Sequence, residues 1–118
     1  MPKKKENYAG IHILAEFWEV KKIEDEGEIK RMLFEAAKEA KNTPIKAMVK
    51  KFLPQGMTGI ILLAESHIAI HTWPERNYAA IDIFTCGSHT LPEKALDYLR
   101  MKFNPRKTEV KTIKRGRY

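Results

Sequence analysis

Three side chains stand out for the chemistry they can do: Ser66, preceded by the carboxylate of Glu65, His71 five residues on, and Cys86, the chain's one thiol. They lie in Glu65-Ser66-His67-Ile68-Ala69-Ile70-His71-Thr72-Trp73-Pro74-Glu75 and in the stretch from Tyr78 to Gly87. A hydroxyl or thiol near an imidazole is the material of nucleophilic catalysis, with Ser66 or Cys86 as nucleophile and His67, His71 or His89 as base. The sequence lacks the G-x-S-x-G elbow that presents a serine in many hydrolases. Side chains also alternate faces along a strand, so Ser66 and His71 point to opposite sides of an unbroken one. Direct pairing of the two needs a bulge, a turn or cleavage of the chain between them.

The rest of the composition narrows the classes. A chain of 118 residues makes one domain with a two-layer core, too small for separate cofactor and substrate domains. Hydrophobic content of 43% beside 31% charged residues is that of a soluble globular protein. No apolar run approaches the ~20 residues of a membrane span, and the basic start Met1 to Lys5 leads to no signal-peptide core, so the expectation is a cytoplasmic protein with no membrane partner. One cysteine forms no internal disulfide; Cys86 is either packing or a thiol kept for use. The net charge of +7 raises a nucleic-acid reading. The basic clusters at Lys3 to Lys5, Lys21-Lys22, Lys46 to Lys51 and Lys111 to Arg117 are mostly broken by apolar residues or flanked by acids. No helix-turn-helix spacing, zinc pattern or aromatic-basic RNA motif accompanies them, and a basic solvated surface without a nucleic-acid partner is the expectation.

The elements that must position these side chains follow from periodicity. His12 to Val20 is β-prone. Ile29, Met32, Leu33, Ala36, Ala37 and Ala40 form the stripe of an amphipathic helix, with Asp25 and Glu28 at its start and Asn42-Thr43-Pro44 at its stop. Ile45 to Phe52 predicts a strand closed by the turn Leu53-Pro54-Gln55-Gly56. Thr58 to Leu63 and His67 to Thr72 read as a third strand, broken or kinked at Ser66. It turns through Trp73 to Asn77 into a fourth, Tyr78 to Thr85, with Cys86 at its end beside Gly87. A second helix carries Thr90 and Glu93 as a capping box, Pro92 in its first turn, and Ala95, Leu96, Leu99 and Phe103 on one face. Val110 to Ile113 predicts a last strand. The order β-α-β-β-β-α-β favours an α+β two-layer sandwich, an antiparallel sheet with both helices on one face. The other face then needs cover, which a second subunit can supply.

The run Leu63 to Glu75, with Tyr78-Ala79-Ala80-Ile81-Asp82-Ile83-Phe84-Thr85-Cys86-Gly87, resembles the prokaryotic S-adenosylmethionine decarboxylase proenzymes. The likeness extends to Phe52-Leu53-Pro54-Gln55-Gly56, Ala15-Glu16-Phe17 and the terminal Arg115-Gly116-Arg117-Tyr118, and so covers nearly the whole chain.

That resemblance implies a protein that makes its own cofactor. The Ser66 hydroxyl attacks the Glu65 carbonyl, the amide becomes an ester, and β-elimination splits one domain of residues 1–118 into a beta chain, 1–65, and an alpha chain, 66–118. The new end loses ammonia and becomes a pyruvoyl group at position 66, which forms a Schiff base with the substrate's amine and takes the place of pyridoxal phosphate. No metal is implied. By the same resemblance His71 is the proton acceptor in processing, Thr58 is the hydroxyl that assists it, and Cys86 is the proton donor in decarboxylation. Phe52 and Trp73 match substrate-binding aromatics able to stack adenine or face the sulfonium, a cation–π contact of ~0.5–2 kcal/mol, and Glu75 can accept from the ribose diol. His67 and His89 are left as structural or surface residues.

The implied activity is decarboxylation of S-adenosylmethionine to the aminopropyl donor of spermidine synthesis, in a homodimer whose subunits share each site. Arginine is the alternative substrate, because some archaeal relatives with the same pyruvoyl machinery use it and the cofactor does not choose the substrate. A processing-dead regulatory homologue is the alternative from another class.

Overall fold

The computed structural model describes residues 7–117; the basic start at Lys3 to Lys5 and the terminal Tyr118 lie outside them. Six strands and two helices follow in the order β1 (Gly10–Trp18), α1 (Glu26–Glu39), β2 (Pro44–Lys51), β3 (Met57–Leu63), β4 (Ser66–Trp73), β5 (Tyr78–Cys86), α2 (Pro92–Phe103) and β6 (Lys107–Arg115). The strands make one antiparallel sheet in the order β2-β3-β4-β5-β1-β6. Both helices pack on one side of it, touching each other as well as the strands. This is the α+β two-layer sandwich that the periodicity predicts.

The alternation of each strand sets the two faces. Ile13, Ala15 and Phe17 of β1, Ile68 and Ile70 of β4, and Ile81 and Ile83 of β5 turn inward, where Ile29, Met32 and Leu33 of α1 and Ala95, Leu99 and Phe103 of α2 close over them. Each fully buried Ile, Leu, Met or Phe among them stabilises the fold by about 1.5–3 kcal/mol. Gly59 of β3 lets α1 come close: a Cβ there would stand 3.0 Å from Ile29 Cγ2 and 3.1 Å from Leu33 Cδ1.

Four strands, not three, lie between the helices. Thr58 to Leu63 and His67 to Thr72, expected as one strand interrupted at Ser66, are two strands of a hairpin joined by Ala64 and Glu65 alone, with Leu63 opposite Ser66. The turn lacks the Asn-Gly or Asp-Gly pair that usually marks such a hairpin. Its stability comes from elsewhere: the Ala64 N–H donates to the Thr43 carbonyl at 3.0 Å, and the Glu65 side chain is caught from below. Two further expectations are corrected. Thr90 does not cap α2; its hydroxyl donates to the Gly87 carbonyl, Leu91 takes the cap position, and Pro92 opens the helix. The last strand runs well beyond Val110 to Ile113, because its pairing with β1 is a backbone ladder that a lysine-rich sequence does not advertise. Asp25 caps α1 as expected, accepting from the Gly27 N–H.

Candidate functional site

Ser66 is the first residue of β4, and its φ of 139° lies where non-glycine residues are rarely found. The carbonyl of Glu65, the group its hydroxyl would attack, accepts a hydrogen bond from the Cys86 N–H at 3.0 Å. That donor sits where negative charge would grow if the carbonyl became tetrahedral. The Ser66 hydroxyl lies 3.2 Å from Nδ1 of His67. Cys86 itself is half-buried at the end of β5, beside a cleft of about 640 Å³ walled by Gly10, Ile11, Thr85, Thr90 and Lys114.

Glu65 is only 8% exposed. Its carboxylate accepts from the Thr43 N–H at 2.8 Å and the Thr43 hydroxyl at 2.9 Å, and its Oε2 lies 3.2 Å from Nε2 of His89. Burial pushes the carboxyl's pKa up; the donors of Thr43 and then His89 outweigh it and leave the group below its ordinary value. An ionised Glu65 therefore pins the turn that carries the Glu65–Ser66 bond.

The other expected residues gather at the far end of the same strand. Thr58 and His71 face each other across β3 and β4, with Oγ1 3.1 Å from Nδ1, and share a shallow cleft of about 210 Å³ with Phe52, Trp73 and Glu75. Phe52 and Trp73 remain 46% and 40% exposed, as rings open to a ligand would be. Trp73 leans on Tyr78 at 5.2 Å between centroids, and the Tyr78 hydroxyl donates to Glu16. Burial, and then that bond, push the Tyr78 pKa up to about 12.

The structure thus divides the expected site in two. Glu65, Ser66 and Cys86 come together at one end of the sheet, and Phe52, Thr58, His71, Trp73 and Glu75 at the other. His71 is five residues along β4 from Ser66, about 17 Å at the rise of a strand, beyond direct contact within one chain. Among the described residues no group of three or more His, Cys, Asp or Glu side chains gathers to hold a metal, and no helix is long and apolar enough to cross a membrane. Sequence reasoning missed Thr43, and it left His67 and His89, first named among the candidate bases, as structural or surface residues. Thr43 and His89 stand 22 and 24 residues from Glu65, a separation that no local pattern reports. His67 lay inside the motif, next to the serine it touches.

Residues 11–116 match the family model described as S-adenosylmethionine decarboxylase. The chain belongs to the S-adenosylmethionine decarboxylase family. A protein of Methanococcus vannielii described as an S-adenosylmethionine decarboxylase proenzyme is 48% identical over 109 residues, 91% of this chain and 89% of its own length. One of Synechococcus sp. with the same description is 50% identical over 93 residues, 77% of this chain and 73% of its own. The crystal structure of the adenosylmethionine decarboxylase from Aquifex aeolicus superposes with a TM-score of 0.86 at 40% identity, covering 92% of each chain. The six-stranded sheet and its helical layer are therefore a decarboxylase-family fold, and the hairpin turn at Glu65 and Ser66 belongs to a chain whose relatives are described as proenzymes.

Proposed function

We propose that this chain is a pyruvoyl-dependent S-adenosylmethionine decarboxylase that cleaves itself between Glu65 and Ser66 and supplies the aminopropyl donor for spermidine synthesis. The observation that carries the reading is the junction: a serine at φ 139° following a carbonyl already bonded to the Cys86 N–H. Ser66 Oγ adds to the Glu65 carbonyl carbon, the Cys86 N–H stabilises the oxyanion, and rupture of the C–N bond leaves an ester. A residue in such a φ region stores about 1–3 kcal/mol, which cleavage releases. Loss of the Ser66 Cα proton then breaks the Cβ–Oγ bond and leaves Glu65 with a new carboxylate. Water displaces ammonia from the remaining end, and residue 66 becomes a ketone.

Position 66 fits a pyruvoyl group, since it opens a strand and needs no partner for an α-amino group once the chain is cut. When present, that group supplies the electron sink for the bond to the departing carboxylate. The Cys86 thiol gives the proton that replaces carbon dioxide. Thr58 orients His71 through Nδ1, leaving the other ring nitrogen to take the Ser66 Cα proton. Phe52 and Trp73 hold the adenine and sulfonium end, and Glu75 the ribose diol.

The two half-sites favour a homodimer. A twofold partner laid on the open face of the sheet, its strands reversed, brings the cleft of one chain to the junction of the other, so each site draws on both subunits. Met48, Ile60 and Leu62 project from that face as exposed apolar side chains and give the contact area to bury. The single-chain cleft of about 210 Å³ is also smaller than the about 300 Å³ at which pockets for drug-sized ligands begin.

The test is release of carbon dioxide from carboxyl-labelled S-adenosylmethionine, with carboxyl-labelled arginine as the matched control. Turnover of S-adenosylmethionine alone is expected. Turnover of arginine alone would overturn the substrate assignment and keep the cofactor.

A further inference from the structure

His67 is the imidazole that Ser66 touches in its own chain, and nothing in the reading above uses it. Its Nδ1 lies 3.2 Å from Ser66 Oγ, whereas His71 lies at the other end of β4. The ring is fixed on the open face of the sheet, edge-on to Phe84 at 6.0 Å and to His12 at 6.4 Å between centroids. His12 is held in turn, with Nε2 3.1 Å from Asp82 Oδ1 and the Arg115 guanidinium donating to its Nδ1 at 3.4 Å. The cross-strand row through His67 runs from Lys46 on β2 through Leu62 on β3 to Phe84 on β5 and His12 on β1. The titratable and charged groups facing it are thus His12, Asp82, Arg115 and, farther along the row, Lys46. Burial first, and then the charges of His12 and Arg115 against that of Asp82, hold the imidazole below its ordinary pKa. It is neutral at neutral pH, and in the tautomer protonated on Nε2 its Nδ1 accepts from the Ser66 hydroxyl.

We propose that His67 is the general base of the first processing step, taking the Ser66 hydroxyl proton on Nδ1 as Oγ adds to the Glu65 carbonyl and passing it to the departing Ser66 nitrogen. The inference rests on the self-processing reading above and divides its work between two histidines. The Oγ–C bond forms, the C–N bond breaks, and the proton moves from Oγ through Nδ1 to nitrogen, so no co-reactant is required. His67 reaches the hydroxyl that must lose its proton; His71, from the second subunit, acts later on the Cα proton. The base of ester formation and the base of elimination are then separable by experiment.

Hydroxylamine makes the separation, because mild treatment cuts esters and leaves amides intact. Freshly synthesised wild-type, His67→Ala and His67→Asn full-length chains are followed for self-cleavage, and uncleaved protein is then exposed to hydroxylamine. Both variants should cleave at least about 100-fold more slowly than wild type, the usual range for loss of a general base. Their stalled chains should resist hydroxylamine, and added imidazole should restore cleavage to His67→Ala. Asparagine keeps a polar side chain of similar reach without a base, so slow cleavage of a His67→Asn chain with wild-type melting behaviour separates chemistry from folding. Wild-type cleavage rates in either variant, or a stalled chain that hydroxylamine cuts, overturn the role of His67 and leave the self-processing reading standing. A wild-type chain that never cleaves sinks both.

Discussion

Cys86 carries two groups of chemical use, an amide N–H bonded to the Glu65 carbonyl and a half-buried thiol. The account assigns them to different reactions, self-cleavage and turnover. Cys86→Ser keeps the first and replaces the second with a much weaker acid. It should cleave itself at close to the wild-type rate, while kcat falls about 100-fold or more and KM changes only a few-fold. Steady-state kinetics on the cleaved variant checks this, and an unchanged kcat removes the thiol from the donor role. Glu65 gives a second prediction at this scale. Its folded pKa is depressed, so its contribution to stability is present above the unfolded carboxyl pKa and is lost as pH falls through the lowered folded value. In the uncleavable Ser66→Ala background, acid should lower the melting temperature more steeply with Glu65 present than after Glu65→Gln. Parallel melting curves against pH would show that the bonds from Thr43 and His89 do not hold the turn.

At the scale of elements, the sheet order decides what cleavage does. The first fragment carries β1, β2 and β3 and the second β4, β5 and β6, yet β1 lies between β5 and β6. A break between Glu65 and Ser66 would fall at a hairpin turn at one end of the sheet and leave the β3–β4, β1–β5 and β1–β6 ladders whole. Fragments 1–65 and 66–118 should therefore co-migrate in native gel filtration and part only under denaturing conditions; either fragment eluting alone in native buffer contradicts the topology. Most of this architecture was legible, because Ile29 to Ala40 and Ala95 to Phe103 repeat at helical spacing and the strands alternate. The β3–β4 hairpin was not. Two apolar strands joined by Ala64 and Glu65 carry no glycine, proline or asparagine at the turn, and the bonds that fix it come from Thr43, beyond the helix end. Ser66, His71 and Cys86 were singled out from the motif as a whole, whereas their placement, Ser66 and Cys86 at one end of the sheet and His71 at the other, required the register.

On the scale of the whole molecule, that division makes the second subunit of the proposed homodimer part of the reaction. Each chain offers one junction, with Ser66 and Cys86, and one cleft, with Thr58 and His71. A chain lacking Ser66 still offers its cleft, and a chain lacking His71 still offers its junction. Ser66→Ala and His71→Ala proteins should each remain uncut alone. Co-expressed, they should yield mixed dimers in which the His71→Ala chain is cut by its partner's histidine, read by a mass tag on one of the two. Failure of the mixture to cut, with dimers formed, would place both halves of the chemistry within one chain.

Self-cleavage to a ketone is the claim on which the rest stands, and denaturing intact-mass spectrometry of the purified protein, with and without an amine and a carbonyl-trapping reductant, tests it most directly. The account predicts fragments of 65 and 53 residues, the second without a free terminal amine and shifted in mass by the trapped amine, and a single intact chain from Ser66→Ala. A 13.7 kDa chain with Ser66 unmodified in a preparation that decarboxylates S-adenosylmethionine, or a second fragment beginning with a free serine amine, would contradict it.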